Sequence, residues 1–341
     1  MSFGSIFRSS LAGFAVALAQ AGGEELRGLP NLAERSAGHW DFYAEALGWY
    51  ASEQPSAVWA DVIEIGNNTS SFTPQDLDFD WNFGFRAGAG YRFDADSWDT
   101  QAYWTWFRTE AKDRREVHPE FLPLLGPTAE IHPEFFAADL SGDSSESAAI
   151  RWSVLMNMFD GELGRSYWVS KGLSLRPFMG LKGGWINQSI DVGYGNLIVA
   201  DAPTEISARE RLKNDFWGIG PAGGVGTKWK LRDFCGHYPS LFGDFSLATL
   251  WGTWTTQDDY RDSSGKNIVL RQGNTTLGAL MLRGIVGVGW DVEWGKSRFA
   301  ARLGYETQYW MNQLRVATSQ LVRLHGDLTL QGAAFKGQFD F

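Results

Sequence analysis

The stretch FDWNFGFRAGAGYRFD, residues Phe79–Asp94, alternates between two kinds of side chain along its whole length. Apolar residues occupy every odd position, and polar residues or glycine occupy every even position. Successive side chains of a β-strand point to opposite faces, so the stretch predicts a strand with one apolar face. A helix would place Arg86 and Arg92 among the aromatic rings. Strands of globular proteins have about 5–6 residues and membrane-spanning strands about 9–11, so the length favours a membrane barrel.

Similar alternation predicts nine further strands along the chain. In one of them, Ala148–Met158, the apolar residues from Ile150 to Met158 form one face and Arg151 lies on the other, with a change of phase near Asp160-Gly161. The others lie near Trp40–Ala51, at Trp98–Thr109, and over about Asp327–Phe341, and five more begin with Leu173, Trp217, Leu241, Leu280 and Phe299.

Short and long connections alternate between these strands, as they do in outer-membrane barrels. The sequence therefore predicts an all-β fold, an antiparallel transmembrane up-and-down β-barrel of about ten strands. Short turns would face the periplasm and long loops the cell exterior. Twelve strands is the alternative, if Val58–Ile65 belongs to an additional hairpin of the barrel.

Composition excludes several classes of function. Of the 341 residues, 40 are acidic and 30 basic, which gives a net charge of -10 and no basic surplus for nucleic acid. The single cysteine excludes an internal disulfide framework and a multi-thiolate metal site. No run of about 20 apolar residues predicts a transmembrane helix. We expect no cofactor and no metal site.

The first residues resemble a secretory signal peptide. Arg8 supplies the positive charge, Leu11–Ala19 is a short apolar run, and Ala19-Gln20-Ala21 has the small residues of a cleavage site. We therefore expect a signal peptide at residues 1–21, a periplasmic segment at 22–38 and the barrel at 39–341. This organisation predicts export to the bacterial outer membrane.

Six stretches of the chain together form a recognisable pattern: His39–Tyr50, Phe79–Arg108, Leu173–Gln188, Asn214–Pro221, Ser240–Ser246 and Gly326–Phe341. In these stretches the chain resembles the Legionella-type major outer membrane protein family, pore-forming barrels found also in chlamydia-related and planctomycete bacteria. The resemblance implies a porin-like, non-enzymatic role, and it makes the terminal Phe341 similar to the aromatic residue that the outer-membrane assembly machinery recognises.

The polar faces of the strands would line the interior of the barrel. Because basic residues outnumber acidic ones on these faces, we expect a porin-like pore for small hydrophilic solutes and ions, with a weak anion preference. In the alternative, arginine–carboxylate pairs fill the interior, and the protein is a plugged surface structural protein or an adhesin. The candidate pore-lining residues are Arg86, Arg92, Arg151, Arg176, Lys182, Lys228, Arg283, Arg302 and Glu306.

An outer-membrane hydrolase is the less favoured reading. The chain has five histidines, none beside a candidate nucleophile on a clear strand, and no catalytic motif, so no catalytic residue is predicted. The lone exported Cys235 is a candidate for an intermolecular disulfide. Expected partners are outer-membrane lipid and lipopolysaccharide, the assembly machinery, and further copies of the chain in a homo-oligomer.

Overall fold

The computed structural model describes ten segments of the chain: residues 38–54, 58–66, 69–93, 97–122, 126–133, 144–199, 202–231, 237–294, 297–317 and 323–341. The predicted signal peptide 1–21, residues 22–37 of the predicted periplasmic segment, and Cys235 lie outside the described residues. None of the described residues forms a helix that is long and apolar enough to cross a bilayer.

Ten long strands form the barrel within the described residues. They are β1 (His39–Gln54), β2 (Asn82–Arg92), β3 (Trp98–Glu116), β4 (Ser144–Arg165), β5 (Leu173–Val199), β6 (Ala208–Lys230), β7 (His237–Asp262), β8 (Asn267–Trp294), β9 (Ser297–Ala317) and β10 (Arg323–Asp340). Each pairs antiparallel with the next, and β1 pairs with β10 from Asp41↔Asp340 to Gln54↔Asp327. The predicted closed, ten-stranded, up-and-down barrel is confirmed.

The alternative of twelve barrel strands is wrong. Val58–Ile65 does form a strand, but it pairs with Ser70–Asp76 and Ala129–Pro133 and lies outside the closed circuit. A single residue pair, Ile131↔Ser145, joins this small sheet to β4. The other short strands are Phe121–Leu122, Gly126–Pro127, Tyr167–Trp168 and Ala202–Pro203.

Two rows of tryptophans bound an apolar band on the outer surface. At the end with the short turns the band begins with Trp40, Trp98, Trp229 and Trp290, and at the other end it finishes with Trp81, Trp185, Trp217 and Trp251. These eight side chains are 37% to 70% exposed. Exposed tryptophans in two such rows fit a surface that faces lipid and not water. Aromatic girdles of this kind mark the two interfaces of the membrane-spanning part of a barrel.

The strands continue well past the second row of tryptophans. β5 has 27 residues and β8 has 28, against the roughly 9–11 that a membrane-spanning strand needs. Beyond that row the two faces exchange their chemistry, because water surrounds the outside of the barrel and only the inside can bury apolar groups.

Strand β4 crosses this boundary. Its residues Ile150, Trp152, Val154, Met156 and Met158 are at most 3% exposed and belong to the core of the barrel. Asp160 and Glu162 continue on the same inward face, where they meet Lys182 and Arg176. The predicted change of phase near Asp160-Gly161 is therefore wrong: the parity is constant, and only the chemistry of the interior changes.

Candidate functional site: the barrel interior

A carboxylate from β9 lies at the centre of the interior. Glu306 is fully buried and accepts hydrogen bonds from Arg86 at 2.9 Å and from Arg283 at 2.7 Å. Arg86 also contacts Glu45 at 2.5 Å and donates to the Thr105 hydroxyl at 2.9 Å. The closed sheet brings β1, β2, β8 and β9 around one point, which is how residues 220 positions apart can meet.

Further ion pairs lie in the same layer of the barrel. Arg176 reaches Asp99 at 2.5 Å and Glu162 at 2.9 Å, and Lys182 contacts Asp160 at 2.6 Å. Nearer the periplasmic end, Asp291 pairs with both Lys228 and Arg298. Charges inside a barrel are tolerated when they are paired and hydrogen-bonded, and these contacts satisfy them. We call this set of ion pairs the charged layer.

The charged layer holds acidic residues that were not predicted from the sequence. Glu45, Asp99, Asp160 and Glu162 all point inward, and each contacts a basic side chain. The alternation along each strand could have identified them. Asp99 follows Trp98, whose ring belongs to the outer face, so the side chain of Asp99 must face inward. Among the described residues, these carboxylates offset the basic side chains of the interior.

The predicted pore-lining residues divide into three groups. Arg92 is exposed at the periplasmic end of β2. Arg151 lies on the outer face with its side chain 61% exposed, so its predicted position in the interior is wrong. The strand there has left the membrane, and its charged face is the outer one. The remaining seven, Arg86, Arg176, Lys182, Lys228, Arg283, Arg302 and Glu306, point into the barrel.

An apolar layer fills the barrel above the charged layer. Trp49, Trp152, Trp254 and Trp310 are at most 1% exposed and belong to one contiguous core. Trp59, from the strand outside the circuit, is fully buried in the same core. A connecting segment therefore contributes to the filling of the interior. We call this set of buried side chains the apolar layer.

One carboxyl group is buried within the apolar layer. Glu53 accepts a hydrogen bond from Gln188 at 2.8 Å, and Gln188 in turn accepts one from the Trp152 ring nitrogen at 3.0 Å. Burial is the main cause that raises the pKa of Glu53 to about 8. The charge of Asp327 also raises this pKa, and the hydrogen bond from Gln188 lowers it. Its side chain is therefore protonated at neutral pH.

The described residues offer little catalytic chemistry. Glu130 accepts a hydrogen bond from the Ser144 hydroxyl at 2.9 Å and contacts the His132 ring at 2.7 Å. The carboxylate thus lies between hydroxyl and imidazole, whereas a serine nucleophile needs the histidine next to it. No group of three or more His, Cys, Asp or Glu side chains is placed as metal ligands among the described residues.

Comparisons with known proteins identify a family and several barrels. The family described as Legionella pneumophila major outer membrane protein precursor matches residues 34–341. No curated protein sequence matches significantly. Similar solved structures include the outer membrane protease OmpT from Escherichia coli, with 9% identity, 91% of this chain and 99% of that chain covered, and a TM-score of 0.37. The Pseudomonas putida toluene transporter TodX has 9% identity, 92% of both chains covered and a TM-score of 0.32. Similarities this weak say nothing about activity.

Proposed function

Since the chain belongs to the Legionella major outer membrane protein family, an outer-membrane protein family, we propose that it is a structural barrel of the outer membrane whose interior is closed. In this role the membrane-spanning band anchors the protein, and the part of the barrel beyond the membrane presents a surface to the cell exterior. The role requires no catalysis.

The observation that carries this proposal is the apolar layer. Its tryptophans Trp49, Trp152, Trp254 and Trp310 are buried in one core, to which the connecting segment adds Trp59. This packing supports an interior from which water is excluded. Hydrated ions need a continuous polar path, and open aqueous porins have about 16–18 strands, whereas narrow barrels are filled by side chains. The charged layer below it supports the same function, because its paired charges rigidify the barrel.

A porin-like pore with a weak anion preference is the second candidate. It is favoured by basic side chains that keep some exposure toward the periplasmic mouth, among them Arg176, Lys228 and Arg302. Such a pore would require the apolar layer to open. Its expected conductance is small, because ten strands enclose a narrow interior.

Single-channel recording from the refolded protein in planar bilayers separates the two candidates. Flotation of the same protein in vesicles, together with heat-modifiable gel migration, establishes that the barrel is folded and inserted. We expect inserted, folded protein without discrete current steps. Reproducible steps would refute the closed barrel and favour the pore, and reversal potentials in a salt gradient would then measure its ion preference.

A further inference from the structure

A basic patch lies on the outer surface of the barrel, beyond the second row of tryptophans. Its residues form registered rows across β3, β4, β5 and β6. One row runs Lys112↔Arg151↔Asp191↔Arg211, and the next runs Arg114↔Ala149↔Gly193↔Arg209. All of these side chains project from the outer face, the same face that carries Trp185 and Trp217 lower on the strands.

The rows surround a shallow depression of about 660 Å³. Ala149 and Gly193 form its floor, because these two positions carry almost no side chain. Cationic side chains form its walls and remain accessible, with Lys112 58%, Arg151 61% and Arg209 64% exposed. The combination of a small-residue floor and cationic walls leaves room for an anionic group to approach several donors at once.

Two carboxylates of the patch are each shared between two cations. Glu110 contacts Lys112 at 2.5 Å and Arg151 at 3.7 Å. Asp191 contacts Arg209 at 2.8 Å and Arg211 at 3.2 Å. Of the other carboxylates here, Asp113 lines the depression and contacts Arg115, and Glu116 contacts Arg114. Six cations against four carboxylates leave a local excess of two positive charges, on a chain whose net charge is -10.

The height of the patch above the membrane restricts its ligand. Asp191 and Arg211 lie six residues along their strands from Trp185 and Trp217 of the second row of tryptophans. Lys112 lies six residues from Trp106, which is in register with that row through Asn157. At about 3.4 Å per residue and a tilt of about 35–45°, this is about 15 Å above the interface. Phospholipid headgroups add only about 5–8 Å on each side of the hydrocarbon. A membrane lipid whose anionic group reaches the depression therefore needs a headgroup that extends farther than that of a phospholipid.

From this arrangement we propose that the depression binds the phosphorylated sugar headgroup of lipopolysaccharide in the outer leaflet. Lys112, Arg114, Arg151 and Arg209 bind its phosphates, while the apolar band below them contacts its acyl chains. The inference rests on the position of the barrel in the outer membrane. It does not depend on whether the interior conducts.

Binding of purified lipopolysaccharide to the folded full-length barrel in detergent tests the proposal. Lys112→Gln combined with Arg151→Gln removes two charges of the patch. Arg92→Gln combined with Lys171→Gln removes two exposed charges at the periplasmic end and is the matched control. We expect the patch variant to bind about tenfold more weakly than the wild type at moderate salt. The control should bind like the wild type.

Three further probes identify the chemistry that is recognised: dephosphorylated lipopolysaccharide, phosphatidylglycerol and inorganic phosphate. Heat-modifiable migration verifies that every variant is folded. We expect intact lipopolysaccharide to bind more tightly than all three. Equal binding by the patch variant and the wild type would overturn the proposal, as would an equal loss in the control. Equal affinity for the dephosphorylated form would refute phosphate recognition, and equal affinity for phosphatidylglycerol or inorganic phosphate would refute the need for the sugar headgroup.

Discussion

Replacing Glu306 by glutamine tests whether the charged layer stabilises the barrel. In the folded protein this carboxylate satisfies two guanidinium groups, with Arg283 at 2.7 Å and Arg86 at 2.9 Å. After Glu306→Gln, Arg86 keeps its 2.5 Å contact with Glu45. Arg283 loses its carboxylate partner and retains at best a hydrogen bond to the amide oxygen. The variant therefore leaves a buried cation uncompensated.

The expected loss in the free energy of unfolding is about 3 kcal/mol, at the lower end of the roughly 3–5 kcal/mol for breaking a buried ion pair. Glu116→Gln is the matched control, because the side chain of Glu116 is 54% exposed and contacts Arg114 at 3.5 Å. Exposed pairs contribute about 0–1 kcal/mol. Urea unfolding in lipid vesicles, followed by tryptophan fluorescence, measures both variants.

The double variant Glu306→Gln with Arg283→Gln supplies a second, independent measurement. Removing the stranded cation should restore part of the stability that Glu306→Gln loses, so the two changes are expected to be non-additive. A loss for Glu306→Gln no larger than that for Glu116→Gln would refute the reasoning. Additive losses in the double variant would do the same.

Three further predictions concern other parts of the barrel. The pKa of Glu53 rises from 4.5 to about 8 through burial, so the folded protein holds a proton that the unfolded chain releases above pH 4.5. The free energy of unfolding should fall by about 5 kcal/mol as the pH rises from 4.5 to 8. Glu53→Gln should abolish this fall in urea titrations at several pH values. An unchanged fall in the variant would contradict Glu53 as its cause. Gly180→Ala should cost about 1–3 kcal/mol in urea unfolding, because its Cβ would lie 1.9 Å from the Gly161 carbonyl oxygen. Gly161→Ala should cost far less, because its Cβ meets nothing within 4 Å; equal losses contradict the steric argument. Phe341→Ser should lower the amount of folded protein in outer-membrane fractions at equal synthesis, and unchanged amounts would count against a terminal assembly signal.

Strand number and pairing order were predictable from the sequence. Alternation such as that in Phe79–Asp94 is a local property of the backbone, since neighbouring side chains of a strand must point to opposite faces. The alternation of short and long connections then determined an up-and-down order. Both required no knowledge of distant contacts, and the closed barrel confirms them.

Which of the two faces of a strand points into the barrel could not be predicted from the sequence over the full length of the strand. Alternation separates two faces, but their identity depends on whether lipid or water lies outside at that height. For this reason Trp152 was assigned to the outer face and Arg151 to the interior, and the structure reverses both. The number of residues that spans a bilayer could have located the height at which β4 leaves the membrane. Nothing in the sequence of β4, however, marks the residue from which to count.

By itself, the sequence determined an all-β chain whose alternating strands close into a membrane barrel, because these features depend on local periodicity and composition. Only the tertiary structure decided what fills the barrel. Arg86 and Glu306 are 220 positions apart, and Trp59 comes from a strand outside the circuit. Such contacts exist only after the sheet closes, since closure brings the inward faces of all ten strands into one narrow volume.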